Sequence, residues 1–211
     1  MKIETPNIPN DLPLKNFNDI FYEEDPELEL CEVQDSVFED EYLPKARLYR
    51  MTLKNCRFTN TDFTSIDLTD VRFENCDFSN ARMSGASIHR TVFKNCKLLG
   101  VDFTEARFGN VVFQDSLLNL ASFGNSKLEK VNMRDSTLER ADFYDCTFKK
   151  VEFHSCGLNH ASFESTSLKG VDISTSAFET ISVSIPDLKG CKVSTNQAIQ
   201  FAALLGIVIV D

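Results

Sequence analysis

The 211-residue chain is long enough for one domain with its own core; it has 18 Phe, no Trp and only 8 Gly, and its net charge is −10. That charge argues against nucleic acid or an anionic membrane as a direct partner. No stretch approaches the ~18 consecutive apolar residues of a spanning helix, and the opening MKIETPNIPNDLP lacks the apolar core of a signal peptide, so a cytoplasmic protein is expected.

The first 45 residues hold 13 acids and 3 bases, with no base between Lys15 and Lys45. This segment alone carries a net charge of −10. Two readings stay open: a solvated cap over the edge of the remaining domain, or an acidic contact surface.

From residue 46 the chain repeats with a period of five. A large apolar residue recurs at Leu48, Leu53, Phe58, Phe63, Leu68 and Phe73 and continues without a gap to Leu188 and Val193, 30 consecutive positions. Counting Phe38, 15 of the 18 Phe fall in this register. Two residues earlier sits a small or β-branched residue, such as Ala46, Cys56, Thr61, Ile66, Val71 and Cys76. Two residues later, Asn, Asp or Gly is frequent, as at Asn55, Asn60, Asp70, Asn75 and Asn80. These types tolerate left-handed backbone. A period of five fits neither the 3.6 of a helix nor the 2 of a plain strand. It fits a coil that turns one corner per repeat, its two inward residues straddling one outward residue. Coils then stack backbone to backbone at about 4.8 Å. The register extends back through Leu43, Phe38, Val33 and Leu28, but Glu41 would point inward and Pro44 interrupts. Residues 1–45 are therefore read as a cap with a first, irregular coil, and residues 46–193 as the repeat.

The tandem pattern A/C-D/N-L/F-x-x resembles the pentapeptide-repeat proteins. That resemblance implies an all-β fold, a right-handed quadrilateral β-helix with four repeats, twenty residues, per coil. The array would measure roughly 35 Å. All seven cysteines, 31, 56, 76, 96, 146, 156 and 191, fall at the small inward position. A metal site or disulfide framework would not lock them to one phase, whereas a small core residue would, so free thiols are expected.

Past Val193, Ser194-Thr195-Asn196-Gln197 reads as a capping box, with helix over Ala198 to Leu205, Gly206 as its C-terminal cap and Ile207-Val208-Ile209-Val210 as a short strand. This 194–211 tail is too apolar for a cap alone. The surplus predicts a two-fold dimer through Ile199, Phe201, Ala202, Leu204, Leu205, Ile207, Val208 and Ile209.

The tail is also similar to that of the Qnr-type branch, whose members bind bacterial type II topoisomerases and protect them from quinolones. The matching residues are Leu188, Gly190, Lys192, Val193, Gln197, Ala198, Leu205, Gly206 and Ile207. The segment SGASIHRTVFKNCKLLGVDF and the opening PNIPNDLP resemble chromosomal members from Gram-positive bacteria. The resemblance implies DNA gyrase or topoisomerase IV as partner, dimers joined end to end through the C-terminal helix, and DNA mimicry. Plasmid-borne Qnr proteins of Gram-negative bacteria carry two coil-interrupting loops that matter for protection. The unbroken register from 48 to 193 leaves no room for either.

Sorting outward residues onto four faces tests the mimicry. The face of Phe63, Phe103, Phe123, Phe143 and Phe163, a predicted core stack, exposes Asp62, Asp102, Glu105, Asp142, Asp145 and Glu164 against Arg82, a net charge of −5. Tyr144 lies among them. The face of Leu48, Leu68 and Ile88 carries nine bases and about +6. Duplex DNA of the same 35 Å would carry roughly 20 negative charges, so the acidic face is at most a partial copy. Leu99, Leu117 and Leu120 form a second candidate contact on another face.

No catalytic reading stands beside this. His89, His154 and His160 face outward on different faces, away from the inward cysteines, and no phosphate loop, zinc spacing or nucleophile elbow is present. A non-enzymatic binding protein is expected, with no cofactor, metal or small-molecule substrate. The alternative is a repeat scaffold or immunity-type protein with a different protein partner.

Overall fold

A computed structural model describes residues 2–208 and 210. The chain winds into one parallel β-solenoid. Its strands are β1 (Leu14–Lys15), β2 (Glu27–Glu29), β3 (Glu32–Gln34), β4 (Arg47–Lys54), β5 (Asp67–Glu74), β6 (Ser87–Lys94), β7 (Arg107–Gln114), β8 (Lys127–Arg134) and β9 (Thr147–His154). Each long strand pairs in parallel with the next at an offset of 20, Leu48 on Leu68, Leu68 on Ile88, Ile88 on Phe108. The offset follows from the repeat: four quintets return the chain to the column where it started. An eight-residue strand covers two adjacent sides. The other two are tied by single bridges in columns, Arg57–Asp77–Lys97–Leu117 and Asp62–Arg82–Asp102–Ser122.

Every fifth residue makes the corner. Leu30, Arg50, Asn55, Asn60, Asp70 and their non-glycine counterparts up to Ser165 hold φ between 45° and 61°, and Gly85, Gly100 and Gly170 between 63° and 82°. That left-handed geometry explains the Asn and Asp there, and Leu120 at φ 61° carries strain that a turn-forming residue would not. At two corners asparagines run as ladders along the rod. Asn55, Asn75 and Asn95 each donate from Nδ2 to the residue twenty places earlier, at 3.0, 3.1 and 2.7 Å.

The bore is apolar and tightly filled. Phe103, Phe123, Phe143 and Phe163 stack with centroids 5.2, 4.7 and 5.1 Å apart, the spacing of the strands themselves. Phe63 belongs to the same column, but Met83 separates it from Phe103; its ring meets Phe38 instead, 6.1 Å away. A second stack runs Phe73–Phe93–Phe113 at 5.0 Å per step. The small inward position has its own logic. Ser126 Oγ accepts from Ala106 N (2.9 Å) and donates to Phe103 O (2.8 Å), satisfying two backbone groups at the corner. Cys146 Sγ reaches Phe123 O in the same geometry, at 3.0 Å. Cysteine thus serves here as a small side chain with a weak donor. All seven cysteines are free thiols and six are buried.

Three sequence expectations need correction. The first coil, expected to be irregular, follows the regular register. β2 and β3 already pair with β4 in register, and Leu28, Val33, Phe38 and Leu43 are buried, so residues 27–45 form a regular turn. Glu41 does not point inward; it is exposed, because a carboxylate without a partner leaves the bore. Residues 207, 208 and 210 form no strand; the chain turns at Gly206, where Ile207 N bonds Ala202 O. Ile209 lies outside the described residues.

Candidate partner-binding surfaces

The acidic side is built by one column position. Asp62, Asp102 and Asp142 each precede an inward Phe and fold back over their own turn. Asp102 accepts from Thr104 N (2.9 Å) and Thr104 Oγ1 (2.7 Å), Asp142 from Tyr144 N (3.1 Å), and Asp62 from Thr64 N (2.9 Å). All three are half-buried, so they spend part of their charge locally. Partial burial pushes the Asp62 carboxyl up, but hydrogen bonds from Thr64 and the Arg82 guanidinium outweigh it and hold it below the usual range. Arg82 neutralises Asp62 at 2.8 Å. Among the described residues no ion pair reaches Asp102, Glu105, Asp142, Asp145 or Glu164. Glu105, Asp145 and Glu164 are exposed, and so is Tyr144 at 47%.

One rod side therefore gathers all the predicted acidic contacts, but as two populations, carboxylates turned into the surface and carboxylates free in solvent. With coils about 4.8 Å apart, Asp102 and Asp142 lie about 9.6 Å apart. This is far sparser than duplex phosphates, which place one charge per about 1.7 Å of axis.

The leucine cluster is only partly gathered. Leu117 and Leu120 are exposed at 40% and 60%, whereas Leu99 is half-buried.

The C-terminal end is anchored as its sequence predicts. The helix α1 (Thr195–Ala202) starts in a reciprocal box in which Ser194 N donates to Gln197 Oε1 (2.8 Å) and Gln197 N to Ser194 Oγ (3.3 Å). Gln197 has a further task that local sequence could not show. Its Nε2 reaches into the end of the bore and donates to Ile173 O (2.9 Å) and Ser176 O (2.8 Å), near the last turn of the coil. Gly206 at φ 69° closes the helix, and Ile207 N bonds Ala202 O at 3.2 Å. Beyond this anchor the end is apolar and unfinished. Phe201 and Ala202 are half-buried and line a hollow of about 270 Å³ with Leu188, Cys191, Val193 and Leu205. Ile199, Leu204, Leu205 and Ile207 are 46–59% exposed, and Val208 is 85% exposed.

No cluster of three or more His, Cys, Asp and Glu among the described residues is placed to hold a metal ion. Burial pushes the Cys146 thiol up to about 12 and the Cys156 thiol to about 11, away from the thiolate a nucleophile needs.

Twenty-residue coils, left-handed corners and paired inward columns are the geometry of one repeat family, and the sequence patterns of that family match. The pentapeptide repeat region pattern covers residues 86–163, and the pattern for eight pentapeptide repeats covers 37–75 and 56–95. The chain is a pentapeptide-repeat protein. No curated protein sequence matches it. Among solved structures it is similar to two trypsin-treated forms of QnrB1, a plasmid-mediated fluoroquinolone resistance protein. Identities are 21% and 19%, coverage is 85% of this chain and 90% and 92% of those chains, and both TM-scores are 0.50. It is also similar to HetL, a pentapeptide repeat protein involved in heterocyst differentiation regulation from Nostoc sp. strain PCC 7120, at 15% identity, 78% and 88% coverage and a TM-score of 0.47. At such identities the likeness concerns the fold of the pentapeptide-repeat rod.

The N-terminal segment makes contacts that the sequence did not reveal. Residues 2–13 run along the outside of the rod. Glu4 N donates to Asn110 Oδ1 (3.1 Å) and Asn7 N to Asp70 Oδ1 (2.8 Å), contacts 106 and 63 residues apart in the chain. No local pattern could have signalled them.

Proposed function

We propose that this pentapeptide-repeat rod is a non-enzymatic binding protein that contacts DNA gyrase or topoisomerase IV and modulates fluoroquinolone susceptibility. It acts as a dimer joined at the C-terminal ends, in the cytoplasm with its partner. The observation that carries the reading is the acidic side, where Asp102, Glu105, Asp142, Asp145 and Glu164 line one face with no base set against them. Such a face fits the cationic surface on which a topoisomerase holds DNA. The tail residues shared in pattern with Qnr-type proteins, Leu188, Gly190, Lys192, Gln197 and Gly206 among them, support the same partner. Because the charge density is a fraction of that of DNA, the grip comes from placed contacts, with Tyr144 at the centre of the exposed acids. The apolar C-terminal end supports the dimer, which doubles the length of the acidic surface.

The test is a supercoiling assay with purified gyrase. The expected result is inhibition by the wild-type chain, relief from ciprofloxacin, and loss of at least tenfold in potency for Asp145→Lys/Glu164→Lys. Both substitutions lie at exposed positions and leave the rod intact. No inhibition over a wide range of protein would reject the topoisomerase reading in favour of a scaffold with another partner.

A further inference from the structure

The corner that receives the N-terminal segment is built to hold an extended chain. Its acceptors, Asp70 and Asn110, are 5% and 6% exposed, unusually buried for corner residues. Asp70 is fixed by Arg90 through two bonds, 2.6 and 2.7 Å, leaving Oδ1 aimed at Asn7 N. Arg50 Nε donates to Asn7 O at 3.4 Å, and Lys130 Nζ pairs with Glu4 at 3.2 Å.

The spacing is a match of two periods. Asp70 and Asn110 are two coils apart, about 9.6 Å, and Asn7 and Glu4 are three residues apart, about 9–10 Å in an extended or polyproline chain. Pro6 and Pro9 hold that segment extended, and Ile3, Pro6, Ile8 and Pro9 are half-buried against the rod. The contact is specific to backbone, since it uses N–H groups and no sequence-defining side chain except Glu4.

Beside Glu4 the surface continues into a cleft lined by Lys2, Glu4, Lys130, Lys150, Val151, Glu152 and Gly170, where the Glu152 carboxylate already accepts from Asn132 Nδ2 at 3.1 Å. Lys149 and Lys169, both exposed, directly precede the lining residues Lys150 and Gly170 in the chain. Of these, Lys149 faces Glu129 at 2.6 Å, a solvent-exposed pair of little worth. This basic end lies on a different side of the rod from the acidic face.

We propose that this corner is a second docking surface, a groove for an extended acidic segment of a partner protein. Residues 2–10 occupy its first part in cis. The partner's carboxylates pair with Lys149, Lys150 and Lys169, as Glu4 does with Lys130. As it extends along the groove, its backbone takes over Asn110 and Asp70 and lifts the N-terminal segment away.

The experiment uses the full chain and a fluorescein-labelled deca-glutamate peptide. Binding is read by fluorescence polarisation, and amide hydrogen exchange at Glu4 and Asn7 is followed by NMR. The expected result is saturable binding that speeds exchange at both amides at least tenfold. Lys149→Glu/Lys169→Glu, with an unchanged circular-dichroism spectrum, should weaken binding at least tenfold and keep both amides slow. Four outcomes overturn the proposal: no binding, binding that leaves the two amides protected, binding that survives the charge reversal, or preference for a duplex DNA competitor over the peptide.

Discussion

The two ends of the rod solve one problem differently. A stacked coil leaves its first and last turns with open backbone and half-covered side chains. At the N-terminal end the chain supplies its own plug. A short 3₁₀ helix, Phe17–Tyr22, capped reciprocally by Asn16 and Asp19, drives Phe17 and Ile20 into the bore at 0% and 1% exposure. Phe17 meets the rings of Phe38 and Phe58 edge-on, both at 4.8 Å. At the C-terminal end Gln197 satisfies the last carbonyls, but the apolar layer stays open. Phe178, Ile181, Val183, Leu188, Cys191 and Val193 are only partly buried, and Phe201 touches Phe178 alone among the rings, at 5.7 Å. One end is finished within the chain. The other leaves apolar surface exposed, which is the basis of the proposed dimer.

The strongest way to break this contrast is to make the open end polar. Ile199→Asp/Leu205→Asp should convert the proposed dimer into a folded monomer, seen as a halved mass by light scattering with an unchanged circular-dichroism spectrum. The matched change at the closed end should leave the mass alone and unfold the rod instead. Phe17→Ala should cost about 3–5 kcal/mol in denaturant titration, since it leaves a cavity against the rings of Phe38 and Phe58, while Phe201→Ala in the monomeric background should cost about half that or less. Equal costs would mean that the two ends are equally packed.

Acid sharpens the comparison next. Glu32, near the plug, is held low by hydrogen bonds from Gln34 and Lys54. Asp70 is held low chiefly by Arg90, against the effect of burial, and Asp172 by the Ser174 hydroxyl and amide. A lowered folded-state value means stability that is complete above the ordinary carboxylate value of about 4 and lost as pH falls through the depressed values. The denaturation midpoint should hold level from pH 7 to about 5 and drop below about 4. Asp70→Asn should flatten part of that drop and loosen the N-terminal segment.

The smallest effect is chemical. Cys31 and Cys191 occupy equivalent inward positions near opposite ends, one fully buried and one half-buried. Burial pushes both thiols up to about 11, so neither is an activated nucleophile. In the monomeric variant Cys191 should react with a maleimide far faster than Cys31, and in the dimer that difference should shrink.

How much of this the sequence displayed depends on the range of each interaction. The quintet period carries the coil, the inward columns and the corners, because each of those contacts recurs every five or twenty residues. Ser194 and Gln197 were legible for the same reason: a capping box spans three residues. The second use of Gln197, on Ile173 and Ser176, was not, because it depends on where the bore ends. Glu41 looked inward by count alone and turned outward by solvation. The N-terminal segment was legible only as the start of an acidic first 45 residues and as the motif PNIPNDLP, yet its position is set by its backbone N–H bonds to Asp70 and Asn110, whose own role as corner residues gave no hint of a guest. The acidic face was legible as a charge sum. Its division into half-buried Asp102 and Asp142 and exposed Glu105, Asp145 and Glu164 required the turns themselves.

Small-angle scattering of the full-length protein tests the unfinished C-terminal end most directly. The expected particle has the mass of two chains and a maximum dimension close to twice that of one rod. A particle with the mass of one chain, or a dimer no longer than a single rod, would contradict it.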